Sequence, residues 1–495
     1  MRYRVIALSV ALAACGRLRF DPIDDGSIDG PPGDAFTGMK VTYVKASNTG
    51  QTDQFGSCVA LSADGNTLAV GALYEDGGAT GVNGTPDDTA TDSGAAYVFV
   101  RSGDTWVQQA YIKPSNTDSQ DLFGCAIALS ADGNTLAVGA YLEDSSSIGI
   151  NGAQDNSALG DNSGAAYVFV RVGDAWSQQA YIKASNTDQS DNFARALALS
   201  ADGNTLAVGC YLEGSSATGI GGDQTNNNAT KSGAVYIYTR SGTTWAQQEY
   251  IKASNTGMDD QFGWSVSLSQ DGNTLAVGAV LEDSNGTSEA DNSATDAGAA
   301  YLYVRSGSSW LERAYVKGGG LAGDYFGQSV TLSADGSTLS VGAIYADAGP
   351  TAVNCGEANV YYSTGGRDNL RLWSFDAGDT AGRGIGLSGN GTLLVVGADN
   401  ESSNATGLDG DATSNAAPAA GAAYVLTKAA SWSLTHYVKA TNTDAGDRFG
   451  VSIALTPDAR VLAIGAIGEA SAATGVNGDQ SDNSAAAAGA VYLIE

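Results

Sequence analysis

The stretch LSADGNTLAVGA, at residues 61–72, occurs a second time without change at residues 129–140. Five further copies, three close and two divergent, begin at residues 199, 268, 332, 387 and 455. Each copy is an apolar run, a short turn and a second apolar run, which is typical of a β-hairpin. Seven copies in 495 residues therefore predict a repeat architecture.

Each repeat unit holds four strand-like segments. In the second unit FGCAIALS and TLAVGA form the hairpin, GAAYVFVR follows a long polar loop, and AWSQQAYIKAS completes the unit. The apolar second segment indicates a strand buried on both faces. The Gln and Lys residues of the fourth segment indicate an exposed edge strand. Four antiparallel strands that grade from buried to exposed are typical of a propeller blade.

The spacing of the units predicts seven blades and a closed ring. Phenylalanines open six units, and a divergent opening lies near Ala381: Phe55, Phe123, Phe193, Phe262, Phe326 and Phe449. The last unit ends at GAVYLIE, after its third strand, whereas VTYVKASNTG from Val41 matches a fourth strand. We therefore expect an all-β, seven-bladed β-propeller of four-stranded antiparallel blades in residues 39–495, closed by an N-terminal strand that completes the last blade.

Phe-Gly at the start of a unit and Gly-Ala at the end of its second strand resemble FG-GAP repeats, the units of the seven-bladed propeller of integrin α chains and of many bacterial surface proteins. The resemblance implies a binding or adhesion role and no particular ligand. Integrin repeats carry an Asp-rich calcium motif between the first two strands. The corresponding loop here, ADGN, is too short to surround a calcium ion. Its aspartates are interpreted as turn residues: Asp64, Asp132, Asp202, Asp271 and Asp335.

The N-terminus has the pattern of a targeting segment. Arg2 and Arg4 precede a short apolar run that ends in Leu-Ala-Ala-Cys-Gly, which resembles the lipobox of bacterial lipoproteins. The resemblance implies a signal peptide at residues 1–14, lipidation at Cys15, a flexible tether at residues 15–38 and a place on the bacterial outer membrane. The alternative is a secreted protein that is cleaved at the same small residues.

Composition limits the classes of function. The formal charge of −30, from 54 acidic and 24 basic residues, disfavours nucleic acid as a partner. One histidine, His436, leaves little room for histidine-based catalysis. Paired carboxylates recur from blade to blade, whereas a catalytic pair need occur only once. The sequence therefore favours a monomeric, non-enzymatic module.

The loops that follow the second strands contain close to half of the 54 acidic residues. They share one face with the loops that enter the next blade, in which aspartates recur three residues apart. Carboxylate and amide oxygens suit Ca²⁺, so these aspartates are the candidate metal ligands, with a repeated turn motif as the alternative. The candidates are Asp118, Asp121, Asp188, Asp191, Asp444 and Asp447.

Two questions stay open at this point. The four cysteines after Cys15 are interpreted as small buried residues, although a disulfide such as Cys58 with Cys125 is an alternative; the remaining two are Cys210 and Cys355. The favoured function is a cell-envelope binding or adhesion module whose acidic face meets a protein or glycan ligand. The alternatives are a purely structural envelope lipoprotein and a carbohydrate-active hydrolase.

Overall fold

The computed structural model describes residues 39–155, 161–286, 288–347, 353–363, 367–368 and 376–495. These residues form 28 strands in seven four-stranded antiparallel sheets, which confirms the predicted all-β propeller. No helix in the described ranges is long and apolar enough to cross a membrane. The predicted signal peptide, Cys15 and the tether lie outside them.

The first four blades follow one another along the chain, and each runs from an inner to an outer strand. Blade 1 comprises β2 (Phe55–Leu61), β3 (Thr67–Ala72), β4 (Ala95–Ser102) and β5 (Thr105–Ile112). Blade 2 comprises β6 (Ala126–Leu129), β7 (Thr135–Ala140), β8 (Ala165–Val172) and β9 (Ala175–Ile182). Blade 3 comprises β10 (Phe193–Leu199), β11 (Thr205–Cys210), β12 (Ala234–Ser241) and β13 (Thr244–Ile251). Blade 4 comprises β14 (Phe262–Leu268), β15 (Thr274–Ala279), β16 (Ala299–Ser306) and β17 (Ser309–Val316).

The remaining three blades complete the ring. Blade 5 comprises β18 (Phe326–Leu332), β19 (Thr338–Ala343), β20 (Glu357–Tyr362) and the two-residue β21 (Arg367–Asp368). Blade 6 comprises β22 (Ala381–Leu387), β23 (Leu393–Ala398), β24 (Ala422–Lys428) and β25 (Trp432–Val438). Blade 7 comprises β26 (Phe449–Leu455), β27 (Leu462–Ala466), β28 (Ala490–Ile494) and, from the other end of the chain, β1 (Val41–Val44).

The ring is closed by the N-terminal strand, as the sequence predicted. β1 pairs antiparallel with β28 from Val41 opposite Ile494 to Val44 opposite Val491. Backbone hydrogen bonds join Lys40 and Glu495 in both directions, at 3.0 and 3.1 Å. The two ends of the described chain thus complete one sheet, and the outer strand of blade 7 is supplied from the start of the propeller.

Neighbouring blades meet at glycines of the repeat. A Cβ atom on Gly71, at the end of the second strand of blade 1, would lie 2.1 Å from the carbonyl oxygen of Gly124, which follows the opening Phe123 of blade 2. The same contact recurs around the ring, and it closes where Gly465 of blade 7 meets Gly56 of blade 1. The Phe-Gly and Gly-Ala signatures are therefore the two sides of one contact between backbones.

We predict that Gly71→Ala destabilises the propeller by about 2–3 kcal/mol, because the added methyl group overlaps a backbone oxygen that belongs to the next blade. Chemical denaturation of the full chain would measure the change. Gly214→Ala is the matched control, since neither glycine has a positive φ and the nearest atom to the new Cβ there is a side-chain oxygen at 3.3 Å. Equal effects of the two substitutions would contradict the proposed contact.

Candidate functional site

The lysines that follow the fourth strands are buried, which corrects their interpretation as residues of an exposed edge. The side chain of Lys183 is 0% exposed and donates to Glu143 Oε2 at 2.8 Å. The glutamate comes from the loop after the second strand of the same blade. Burial lowers the pKa of Lys183, although the charge of Glu143 opposes that shift. The pair is therefore an internal ion pair of the blade.

Each pair is surrounded by hydrogen bonds that tie three loops together. In blade 2, Tyr181 donates to Glu143 Oε1 at 2.8 Å, and Asn116 Nδ2 donates to the same oxygen at 2.9 Å. Lys183 also donates to Ser163 Oγ at 2.6 Å. Asn116 belongs to the loop that arrives from blade 1. The network therefore satisfies the buried charges and connects neighbouring blades.

The pair recurs in six blades, with Nζ–Oε2 distances of 2.7–2.9 Å. The six pairs are Lys113–Glu75, Lys183–Glu143, Lys252–Glu213, Lys317–Glu282, Lys439–Glu401 and Lys45–Glu469. Blade 5 departs from this pattern, because buried Ala346 stands at the position of the glutamate. Six glutamates that the sequence placed among the acidic loops are thus structural and do not face solvent.

We predict that Glu143→Gln costs about 3–5 kcal/mol of unfolding free energy, because Lys183 loses its charged partner while it stays buried. Denaturant unfolding of the full chain is the measurement. Asp155→Asn removes a charge from an exposed position of the same loop and is expected to change stability by less than about 0.5 kcal/mol. A similar, small effect of both substitutions would show that the buried pair contributes little.

The candidate metal ligands lie in three separate turns, at the starts of blades 2, 3 and 7. In each turn the second aspartate accepts a hydrogen bond from the backbone N–H of the first. The distances are 3.2 Å for Asp121 with Asp118, 3.0 Å for Asp191 with Asp188 and 2.7 Å for Asp447 with Asp444. The structure therefore brings the members of each pair together and keeps the three pairs apart.

The second aspartate of each pair is buried, and its pKa is raised. Burial, together with the charge of Glu143, raises the pKa of Asp121 to about 9. Burial likewise raises the pKa of Asp191 to about 8 and that of Asp447 to about 7. No group of three or more His, Cys, Asp or Glu residues in the described part of the chain is arranged to hold a metal ion. Calcium binding by these loops stays a prediction.

A raised aspartate pKa makes stability fall as pH rises. Above pH 4 the unfolded chain loses this proton while folded Asp121 retains it up to about pH 9. We predict that Asp121→Asn removes about 1.4 kcal/mol of pH dependence per pH unit between pH 5 and 8. Denaturant unfolding across that range would measure the slope. Asp155→Asn, at an exposed loop position, should leave the slope as it is; an unchanged slope in Asp121→Asn would contradict the shift.

The loops after the second strands are ordered by a small apolar residue. Val82, Ile150 and Ile220 each form an isolated bridge with the last residue of the fourth strand, Ile112, Ile182 and Ile251 respectively. Leu408 and Val476 repeat the contact in blades 6 and 7. These residues share one position of a motif that recurs in the loops, TGVNG at residues 80–84 and 474–478, IGING at 148–152, TGIGG at 218–222 and TGLDG at 406–410. The repeated aliphatic position therefore holds each loop against its own blade.

One position of the innermost strand varies between blades, although the rest of that strand is similar. Register shifts between the opening residue and the rest of the strand mark a β-bulge there in six blades. The residue after the Phe-Gly pair occupies this bulge position: Ser57, Cys125, Arg195, Trp264, Gln328, Arg383 and Val451. The position lies at the mouth of the ring, on the face that carries the acidic loops.

Two adjacent blades place an arginine and a tryptophan at this position. The guanidinium carbon of Arg195 lies 4.8 Å from the ring centre of Trp264 and 5.9 Å from that of Tyr141. Tyr211 packs edge-on against Trp264, with 5.0 Å between ring centres. All four side chains are half-buried. We name Tyr141, Arg195, Tyr211 and Trp264 the axial cluster.

The axial cluster points toward the axis of the ring. Burial raises the pKa of Cys58, in blade 1, to about 11, and the charge of Arg195, in blade 3, opposes that rise. Arg195 contacts Tyr141 of blade 2 and Trp264 of blade 4, so side chains that start two blades apart lie close together. The Cys58 thiol donates to the Cys125 carbonyl oxygen at 2.7 Å. Cys58, Cys125 and Cys210 are free thiols, so the structure contains no Cys58–Cys125 disulfide.

Blade 6 carries a second charged group on the same face. Asp399 is fully buried and accepts hydrogen bonds from Arg383 at 3.2 Å, Arg448 at 2.6 Å and Thr380 at 2.8 Å. Arg383 occupies the bulge position of blade 6. Two arginines thus share one carboxylate, which leaves a positive charge at the centre of a face with acidic loops around it.

A comparison with protein-family profiles agrees with the repeat. A family profile described as FG-GAP repeat matches residues 39–99, 106–169, 176–238 and 245–303. A chain in a solved structure titled "Crystal Structure of Mitotic Checkpoint Complex" has a TM-score of 0.47 and 12% identity, and the match covers 96% of this chain and 98% of that one. A search of curated proteins finds no significant match. The profile match and the seven four-stranded blades together show that the chain belongs to the FG-GAP repeat family.

Proposed function

We propose that the protein is a non-enzymatic binding or adhesion module of the bacterial cell envelope, which presents the face with the acidic loops to a protein or glycan ligand. The FG-GAP propeller fold is consistent with a binding or adhesion type of module. The observation that carries the proposal is the bulge position. Six different residue types occupy it in the seven blades, with arginine in blades 3 and 6, while the surrounding strands repeat in every blade and the buried pairs in six.

Structural residues recur between the blades of this chain, whereas candidate ligand-binding residues do not. A residue that every blade needs for packing recurs, as Gly71 and its equivalents do. A residue that contacts a ligand with no sevenfold symmetry has no reason to recur. Arg195 and Trp264 are in this second class, and both stay accessible at the mouth of the ring. This contrast supports a ligand site on the axis, because folding alone does not require these side chains.

A binding role also fits the carboxylates that the described residues display. Glu143 is neutralised by Lys183, and Asp121 is protonated near neutral pH because its pKa is about 9. Both groups recur as parts of the blade, so neither is available as a free acid or base. These observations support a non-enzymatic role over hydrolysis of a carbohydrate.

The anchor and the calcium dependence are parts of the proposal that rest on sequence. Lipidation at Cys15 would hold the propeller on the membrane by the tether, and Cys15→Ala should then move the chain out of the membrane fraction. Calcium would order the acidic loops through exposed carboxylates. Thermal midpoints in EDTA, Ca²⁺ and Mg²⁺ test this part, because an ion at a hundred times its Kd stabilises by about 2.7 kcal/mol.

We predict that a bulky group on the acidic-loop face blocks ligand binding, whereas the same group on the opposite face does not. Ser146 and Asp104 are exposed positions on the two faces, and each can be changed to cysteine and coupled to polyethylene glycol. The readout is adhesion of the full chain to arrayed glycans and proteins, with Ca²⁺ or EDTA present.

The parent protein treated with the same reagent is the control for the native thiols, and burial raises the pKa of Cys58 to about 11, which slows its reaction. Loss of binding only in modified Ser146→Cys supports the proposed face. Equal binding by both modified variants would overturn the proposed face, and no binding to any arrayed ligand would argue for a purely structural role.

A further inference from the structure

Arg195 has no acidic partner among the described residues, although the chain is strongly acidic. No carboxylate in the described residues lies within 4.0 Å of the Arg195 guanidinium, and no described side chain accepts a hydrogen bond from it. Its contacts are with the rings of Tyr141 and Trp264. The formal net charge is −30, so acidic partners are abundant elsewhere on the surface.

Two other arginines of the repeat show how a guanidinium finds hydrogen-bond acceptors in these blades. Arg171 lies 5.4 Å from the ring centre of Trp176 and also donates to Asn134 at 2.9 Å and to Gln109 at 3.1 Å. Arg240 is held in the same way by Trp245, Asn204 and Gln179. Arg171 and Arg240 each lie over an aromatic ring and also donate hydrogen bonds to side-chain amide oxygens.

Arg195 has the ring contacts and lacks the acceptors, although its side chain is half-buried. An aromatic ring holds a cation through its π face and uses none of the guanidinium N–H donors. The position of the guanidinium is therefore defined while its hydrogen-bonding capacity stays available. That combination suits a planar, two-oxygen acceptor, because a carboxylate can accept two parallel N–H bonds from one arginine.

From this geometry, and on the assumption of the ligand-binding role proposed above, we infer that the axial cluster binds a carboxylate-bearing sugar at the tip of a glycan. Arg195 pairs with the carboxylate. The rings of Trp264, Tyr141 and Tyr211 lie beside it and offer surfaces on which the apolar face of a sugar ring packs.

The surrounding charge selects among acidic ligands. The acidic loops around the ring repel a chain that carries many negative charges, whereas a single carboxylate at a glycan tip reaches the axis. At physiological salt the repulsion between exposed charges decays over about 8 Å. The inferred ligand is therefore a terminal uronic acid and not a polyanionic polymer.

The experiment measures binding of two matched disaccharides to the full chain by calorimetry. One ends in glucuronate and the other in glucose, so they differ only in the carboxylate. We expect at least tenfold tighter binding of the glucuronate form, and loss of this preference in Arg195→Gln. Trp264→Leu should weaken binding of both sugars, because the ring surface is removed.

Arg460→Gln is the matched control, since Arg460 lies in the turn between the first two strands of blade 7, on the opposite face, with an 82% exposed side chain. Thermal midpoints verify that each variant is folded, and Arg195→Lys retains the charge if Arg195→Gln fails to fold. A short peptide with a free C-terminal carboxylate is the third probe.

Each outcome decides between the two proposals. Equal affinity for both sugars, no binding of glucuronate at 10 mM (about a 2.7 kcal/mol bound on affinity), or tighter binding of the peptide would overturn the sugar assignment. A ligand found on the array whose binding is blocked on the acidic-loop face but is insensitive to Arg195→Gln would overturn this inference and leave the binding module intact. Glucuronate preference that Arg195→Gln abolishes and Arg460→Gln preserves would support both.

Discussion

The close approach of two backbones between neighbouring blades is the constraint on which the rest of the structure depends. At Gly71 a single added carbon would lie 2.1 Å from a carbonyl oxygen of the next blade, and equivalent contacts recur around the ring. Blade-to-blade distance, and hence the size of the ring, is set by this contact. Because Arg195 and Trp264 project from the bulge beside it, the same contact determines how near to each other these side chains lie.

The buried ion pairs hold the loops in place against the strands. Glu143 joins the loop after the second strand to the outer strand through Lys183 and to the incoming loop through Asn116. A buried pair is costly to break, even where it adds little net stability over an apolar pair. Blade 5 has alanine at the glutamate position and is also the most divergent blade in sequence.

Charge is divided between two zones of one face. Exposed aspartates lie on the loops, whereas Arg195 and Arg383 lie at the bulge position of the innermost strand, and Arg383 and Arg448 share the buried carboxylate of Asp399. The acidic zone is built from repeated motifs, whereas the residues of the central zone vary from blade to blade. Residues that are needed for folding recur, because the strands of every blade pack in the same way. The residues that vary are the ones on which function can depend.

The sequence alone determined the class, the number of blades and the closing strand, because these follow from strand periodicity, turn residues and the spacing of the repeats, all of which are local. The tertiary structure decided which charges are buried and which side chains meet. Lys183 and Glu143 lie 40 positions apart in sequence, and the loop that buries them both was not foreseeable from the strand pattern. Arg195 and Trp264 belong to different blades. In the sequence, FAR replaces the usual Phe-Gly opening of a unit, and FGW places a tryptophan after Phe-Gly, but neither pattern indicates that the two side chains meet. Their contact exists because the bulge turns both side chains toward an axis that forms only when the ring closes.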